Sequence, residues 1–193
     1  MKSLRILIAD DESIIRLDLK NILEGMGHKV IAEASDGSTA VDIARRNGLD
    51  LAILDIKMPE MDGLDAAKII TEEKICPVLL LTAYSQQDLI DRAKEAGVFG
   101  YLVKPFKEAD LLPAIEIAIS RYGEMSALEK EVGSLQEKIE TRKIVDRAKG
   151  ILMDKHSMSE ADAFRWIQQQ SMNTRKTMRE IAEAVILTQN IGS

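Results

Sequence analysis

Asp10, Asp11, Asp55, Thr82 and Lys104 are residue types that together can manage a divalent cation and a phosphoryl group. Mg2+ demands near-octahedral oxygen ligation and keeps several of its waters. Asp11 and Asp55 are the natural direct ligands, Asp10 holds a coordinated water or ligates directly, and the backbone carbonyl of Lys57 can add a neutral oxygen. A carboxylate is a poor nucleophile toward phosphorus unless charge on the attacked oxygens is neutralised and the approach is in line. The cation supplies most of that neutralisation and Lys104 one further positive charge, while the Thr82 hydroxyl can donate to a phosphoryl oxygen.

These residues lie far apart in sequence, and each closes a short apolar run: Ile6–Ala9, Leu51–Leu54, Val78–Leu81 and Gly100–Val103. Near-continuous apolar runs separated by helical patterns predict a parallel sheet covered on both faces. In such a sheet ligands bind outside the carboxyl ends of the strands, where all four pieces fall. A further strand is expected over Lys29–Ala34. Helices are expected after Asp11 (Ile14, Ile15, Leu17, Leu19, Ile22 and Leu23 as its apolar positions), near Asp36-Gly37-Ser38, around Leu64–Glu72, from Gln86 to Gly97, and from Glu108. Residues 4–120 thus alternate strand and helix five times, a doubly wound α/β unit with five parallel strands.

Taken singly, these residues are unremarkable: an Asp-Asp pair after a strand is commonly a helix N-cap. At the ends of four strands they make coincidence improbable. A nucleotide hydrolase is disfavoured because no G-x-x-x-x-G-K-[ST] loop exists, and a dinucleotide enzyme because no G-x-G-x-x-G follows the first strand. An aspartyl-phosphate phosphatase wants a second carboxylate two residues after its nucleophile. Lys57 stands there, so the site is expected to hold a phosphoryl group with at most slow self-dephosphorylation and not to act as an enzyme.

The bulk numbers suit a protein with two jobs. The 193 residues carry a formal charge of −6. From Arg121 onward there are 12 Lys and Arg against 11 Asp and Glu, which leaves residues 1–120 with 14 against 21. Within 142–179 the balance is 9 basic to 4 acidic, a concentration that can meet phosphate backbone. No apolar run approaches the roughly 20 residues that span a bilayer, and Met1-Lys2-Ser3 enters a strand almost at once, so neither a membrane span nor a secretory signal is expected. The single cysteine, Cys76, excludes an internal disulfide and fits a reducing cytoplasm; beside Pro77 it reads as a small core residue.

Past Glu108 the helical character continues without a break. Met125, Leu128, Val132, Leu135 and Ile139 are spaced 3-4-3-4, a heptad seam of about two heptads. In a parallel pair Glu124 would face Glu129 and Lys138 would face Lys143, so such a dimer needs help from elsewhere; packing within the chain is the alternative. The last third reads as three short helices near 142–154, 159–171 and 177–188. Their apolar positions are Ile144, Val145, Ala148, Ile151 and Leu152, then Ala163, Phe164 and Ile167, then Ile181, Ala182, Val185 and Ile186. Ser159 and the Thr177–Glu180 capping box mark two starts.

Residues 4–120 resemble a response-regulator receiver domain, through Asp10-Asp11, Asp55, Met58-Pro59, Asp62-Gly63, Thr82-Ala83 and Lys104-Pro105-Phe106. The resemblance implies a flavodoxin-like fold and phosphorylation of Asp55 by a sensor histidine kinase or a small donor such as acetyl phosphate. It also implies Mg2+, a cis peptide before Pro105, and a switch in which Thr82 and Tyr101 remodel the face of the fourth and fifth predicted helices. After a helical linker at 121–142, residues 125–187 resemble an ANTAR domain through Ala148-Lys149-Gly150, the spacing to Ala163-Phe164, and Ser171-Met172-Asn173. That resemblance implies binding to hairpin RNA in nascent leaders and transcription antitermination; the weak seam around Met125–Ile139 separately suits a homodimer that forms only when phosphorylation helps it. Candidate RNA contacts are Arg142, Arg147, Lys149, Gly150, Asn173, Arg175 and Lys176; Gly150 would admit a phosphate or base close to the backbone. Three short helices also suit a DNA-binding regulator or a protein-interaction module without nucleic acid.

Overall fold

The structure is a computed structural model that describes residues 3–83 and 97–190. The chain divides into two compact units, Met1–Ser126 and Ala127–Ser193.

The first unit holds a five-stranded parallel sheet in the order β2-β1-β3-β4-β5. Its strands are β1 (Arg5–Ala9), β2 (Lys29–Ala34), β3 (Leu51–Asp55), β4 (Val78–Thr82) and β5 (Gly100–Val103). Alternate side chains leave opposite faces, as the pleat requires. Leu7, Ala9, Leu54 and Leu80 pack with Val41, Ala67 and Ile70 from α2 (Gly37–Arg46) and α3 (Gly63–Glu72). Ile6, Ile8, Ile53, Leu79 and Leu81 pack with Leu19 and Leu23 of α1 (Ser13–Gly25) and with Leu111, Ile115 and Ala118 of α4 (Glu108–His156). Two cores sandwich one sheet, so β1, β3 and β4 are buried on both sides, which is why they read as unbroken apolar runs. Cys76 is buried beside the start of β4, and burial, with Asp50 adding to it, pushes its thiol up to about 12.

Three expectations need correction. Ile14 and Leu17, read as buried positions of α1, are 81% and 59% exposed, because the inward face of that helix is set by Leu19, Ile22 and Leu23. The first of the three C-terminal helices has no start of its own: α4 runs 49 residues from Glu108 to His156, through the stretch read as a linker. Gly123 and Gly133 do not stop it. The expected helix from Gln86 lies outside the described residues, although Gly97 has the left-handed φ of +68° expected of a terminator.

In the second unit the C-terminal part of α4 packs with α5 (Glu160–Thr174) and α6 (Met178–Asn190). Val145, Ala148, Leu152, Ala163, Ile167, Ile181 and Ala182 form its core. Ser159 caps α5 by accepting from the Asp162 N–H, and Thr177 and Glu180 exchange the reciprocal bonds of a capping box. Phe164 is a third correction: at 42% exposed it stands outside the core in which its neighbours Ala163 and Ile167 are buried.

Candidate functional site

Strand register brings the acidic residues together. Ala9 pairs with Leu54, so Asp10 and Asp55 leave adjacent strands at the same level. Thr82 pairs with Val103, which sets Lys104 at the mouth of the neighbouring strand, where its N–H donates to the Thr82 carbonyl at 2.7 Å. β1 is flanked by β2 on one side and β3 on the other, so the site stands at the point where strand order reverses. A cleft of about 280 Å3 there is lined by Asp11, Asp55, Lys57, Thr82 and Lys104, with Glu12, Ile56 and Ala83.

Asp10, Asp55 and Thr82 are all buried. The Lys104 ammonium reaches both carboxylates, 2.6 Å from Asp10 Oδ2 and 2.6 Å from Asp55 Oδ1. Burial works against that ammonium, yet the hydrogen bonds and charges of the two carboxylates hold its pKa above the ordinary lysine value. Burial raises the Asp55 carboxyl above its ordinary value, against the opposing pull of Lys104. Two buried carboxylates thus share one ammonium, an arrangement that further positive charge would relieve.

The donor set fits a hard divalent cation. Carboxylate oxygens of Asp10, Asp11 and Glu12 lie within 4.8 Å of one another, and Asp55 opens into the same cleft as Asp11. The helix-cap alternative fails on geometry: the N-cap of α1 is Glu12, with no side-chain cap, while Asp10 Oδ1 accepts from the Glu12 N–H at 3.0 Å. The Lys57 N–H donates to Asp55 Oδ2 at 2.8 Å. Both Asp55 oxygens therefore have a fixed donor.

Gly63 carries a role that its reading as part of a turn pair does not capture. A Cβ on it would lie 1.9 Å from the Asp55 carbonyl oxygen, so the start of α3 presses directly on the residue at the centre of the site. Its N–H donates to the Ile56 carbonyl at 2.8 Å. The signal was in the sequence as Asp62-Gly63, but the close approach that requires glycine appears only in three dimensions. The Lys104–Pro105 peptide is cis, and Tyr101 is 45% exposed on β5.

In the second unit the residues read as RNA contacts separate into two kinds. Arg142, Arg147, Asn173, Arg175 and Lys176 are exposed. Lys149 is mostly buried, and its ammonium lies 2.7 Å from Asp146 and 2.8 Å from Glu160, tying α4 to the first turn of α5. Gly150 has nothing within 4 Å of the position a Cβ would take. Arg175 ends α5 in the left-handed region, φ 56°. The heptad-seam residues Met125, Leu128, Val132, Leu135 and Ile139 are all substantially exposed, at 40–61%.

Comparison with known proteins agrees with both halves. Residues 6–116 match the family model of the response regulator receiver domain, and residues 133–186 match that of the ANTAR domain. The transcriptional regulatory protein PdtaR of Mycobacterium tuberculosis is 52% identical over 184 residues, covering 95% of this chain and 90% of that protein. The chemotaxis protein CheY-3 of Vibrio cholerae is 39% identical over 123 residues, covering 62% of this chain and 95% of that one. Among solved structures, the receiver domain of NarL from M. tuberculosis superposes with a TM-score of 0.59 at 26% identity, over 62% of this chain and 98% of that one. A chain of the CheX–CheY–BeF3–Mg2+ complex from Borrelia burgdorferi gives 0.55 at 30% identity, over 57% and 85%. The chain belongs to the response-regulator family, as a member in which a flavodoxin-like receiver domain is joined to an ANTAR domain.

Proposed function

We propose that this response regulator is switched by phosphorylation of Asp55 and, in the phosphorylated form, binds hairpin RNA in nascent transcripts to promote antitermination. The observation that carries the phosphoryl half is the Lys104 bridge between two buried carboxylates at the strand ends. Asp10, Asp11, Asp55 and the Lys57 carbonyl would hold Mg2+. When bound, that ion neutralises charge on the transferring phosphoryl oxygens. An Asp55 carboxylate oxygen attacks phosphorus as the bond to the donor, a kinase phosphohistidine or acetyl phosphate, breaks; the product is an aspartyl phosphate and the free donor. Lys104 then has a phosphoryl oxygen to pair with in place of the Asp55 oxygen, and Thr82 donates its hydroxyl. Lys57 supplies no carboxylate to activate water, so the acyl phosphate decays slowly and turnover is not the function.

Support for the output half comes from the basic concentration at 142–179 and from the exposed Arg142, Arg147, Asn173, Arg175 and Lys176 in the ANTAR unit. Lys149 serves there as an internal tie. Tyr101 and Thr82 form the relay of the switch, which shifts a pre-existing equilibrium. The exposed seam Met125–Ile139 pairs two copies weakly in a homodimer, and pairing raises the effective concentration of two RNA-binding units. A role on nascent transcripts would place the protein in the cytoplasm.

Fluorescence anisotropy on tandem short-loop hairpins, with and without acetyl phosphate and Mg2+, tests the reading. Tighter binding with the donor, absent in Asp55→Ala, is the expected result. Preference for duplex DNA over hairpin RNA would make the output a DNA-binding one, and no salt-sensitive binding to either would make it a protein-interaction module.

A further inference from the structure

We propose that Arg16 is a positioning residue for the cation site, holding the backbone of the acidic loop from behind so that Asp10 and Asp11 stand ready to ligate. The proposal rests on the reading of Asp10, Asp11 and Asp55 as cation ligands. Arg16 lies on the first turn of α1, and helical side chains lean back toward the N-terminus, here over the loop that leaves β1. Its Nη1 donates to the Asp10 carbonyl at 2.6 Å and lies 3.4 Å from the Asp11 carbonyl. The side chain is only 19% exposed, so this is no loose surface pair.

The anchorage continues outward. Arg16 Nε is buried without a hydrogen-bond partner among the described residues and sits 3.7 Å from Glu33 Oε2 on β2. Glu33 also takes the Lys20 ammonium at 2.9 Å. The chain β2–Glu33–Arg16 therefore ends on two peptide carbonyls, and the planes of those peptides set the direction in which the Asp11 side chain leaves the loop. Asp10 has other holds: its N–H donates to Ala34 O, its Oδ1 accepts from Glu12 and its Oδ2 from Lys104. Asp11, exposed at the mouth, has its carbonyl on Arg16.

There is also an electrostatic reason for a guanidinium here. The carboxylates of Asp10, Asp11 and Glu12 crowd within 4.8 Å, and a fixed cation beneath them lowers the cost of keeping them together before any ion arrives. What distinguishes the guanidinium is its reach: Nη1 meets both carbonyls while Nε faces Glu33, a span from loop to strand that the compact ammonium of a lysine does not reproduce.

Isothermal titration of the full-length protein with MgCl2 tests this, with phosphorylation by acetyl phosphate followed by intact mass. Arg16→Met is expected to weaken Mg2+ binding about tenfold or more, the loss typical of residues that orient metal ligands. Arg16→Lys is expected to recover part of it. At saturating Mg2+ the phosphorylation rate of Asp55 in Arg16→Met returns to the native rate, since Arg16 touches neither the phosphoryl group nor its acceptor. Native Mg2+ affinity in a folded Arg16→Met, while Asp11→Asn binds weakly, overturns the positioning role but leaves the cation site standing. Native affinity in Asp11→Asn as well overturns the cation-site reading and this proposal with it. A rate that stays low at saturating Mg2+ also overturns it. Should Arg16→Met fail to fold, Arg16→Lys decides alone: weakened binding supports the proposal and native binding overturns it.

Discussion

The receiver cleft and the ANTAR unit hold charge in opposite ways. In the cleft, Asp10, Asp55 and most of Lys104 are withdrawn from water and satisfy one another. In the ANTAR unit, Arg142, Arg147, Arg175 and Lys176 stand in solvent, and the mostly buried lysine, Lys149, is internally paired. Burying charge costs several kcal/mol per ion unless it is paired, so a buried cluster at strand ends has to have a use that offsets its cost. Exposed charge costs almost nothing and marks no site by itself. Chemistry is therefore written into the first unit geometrically, whereas the second unit reveals its use only through a ligand.

Four experiments break or sharpen that contrast. Lys104→Met should slow phosphorylation of Asp55 by acetyl phosphate about 10²-fold, the scale of losing one preorganised charge stabiliser; a rate near native would mean the buried ammonium is structural. Gly63→Ala should destabilise the protein by about 1–3 kcal/mol, as overpacking against fixed backbone does, and slow phosphoryl uptake with it, since the added methyl displaces Asp55. Chemical denaturation and the same phosphorylation assay read both effects. In the ANTAR unit Gly150→Ala should act in the reverse sense, raising stability by about 1 kcal/mol because glycine is a poor helix former and the methyl meets nothing. If RNA approaches that point, hairpin affinity falls as stability rises; unchanged affinity would remove Gly150 from the interface.

The smallest effect concerns pH. Burial raises the folded-state pKa of Asp55 above the ordinary 3.8, so the folded protein favours the protonated carboxyl. Its contribution to stability is fully present below 3.8 and is lost as pH rises through the raised value. Asp55→Asn, measured with chelator present, should accordingly melt a few degrees higher than the native protein at neutral pH, with the gap closing under acid. A gap that widens on acidification would mean the Lys104 pairing outweighs burial.

Much of this could be read before the fold was known, and the reasons are physical. The part-exposed edge strands β2 and β5 are legible at their observed boundaries because turn-forming and polar residues bracket them. β1, β3 and β4 are legible to within one residue because doubly buried strands leave unbroken apolar runs. Asp10, Asp55, Thr82 and Lys104 were visible because each follows such a run. Gly63 was legible only as half of a turn pair and Arg16 not at all: the backbone approach of the one and the carbonyl contacts of the other leave no pattern along the chain. The unbroken helical character read past Glu108 is found as one helix, so the boundary placed near residue 142 has no counterpart: nothing local marks where one unit hands over to the next. Ile14 and Leu17 misled because hydrophobicity does not say which face of a helix is inward.

Cys76 has a practical consequence. As the chain's single cysteine, buried and with its thiol held near 12, it is almost entirely un-ionised at neutral pH and silent toward maleimides. A cysteine introduced at an exposed position such as Leu128 could then be labelled or cross-linked against a dark background, leaving the native residue in place. The protein comes ready for single-site spectroscopy.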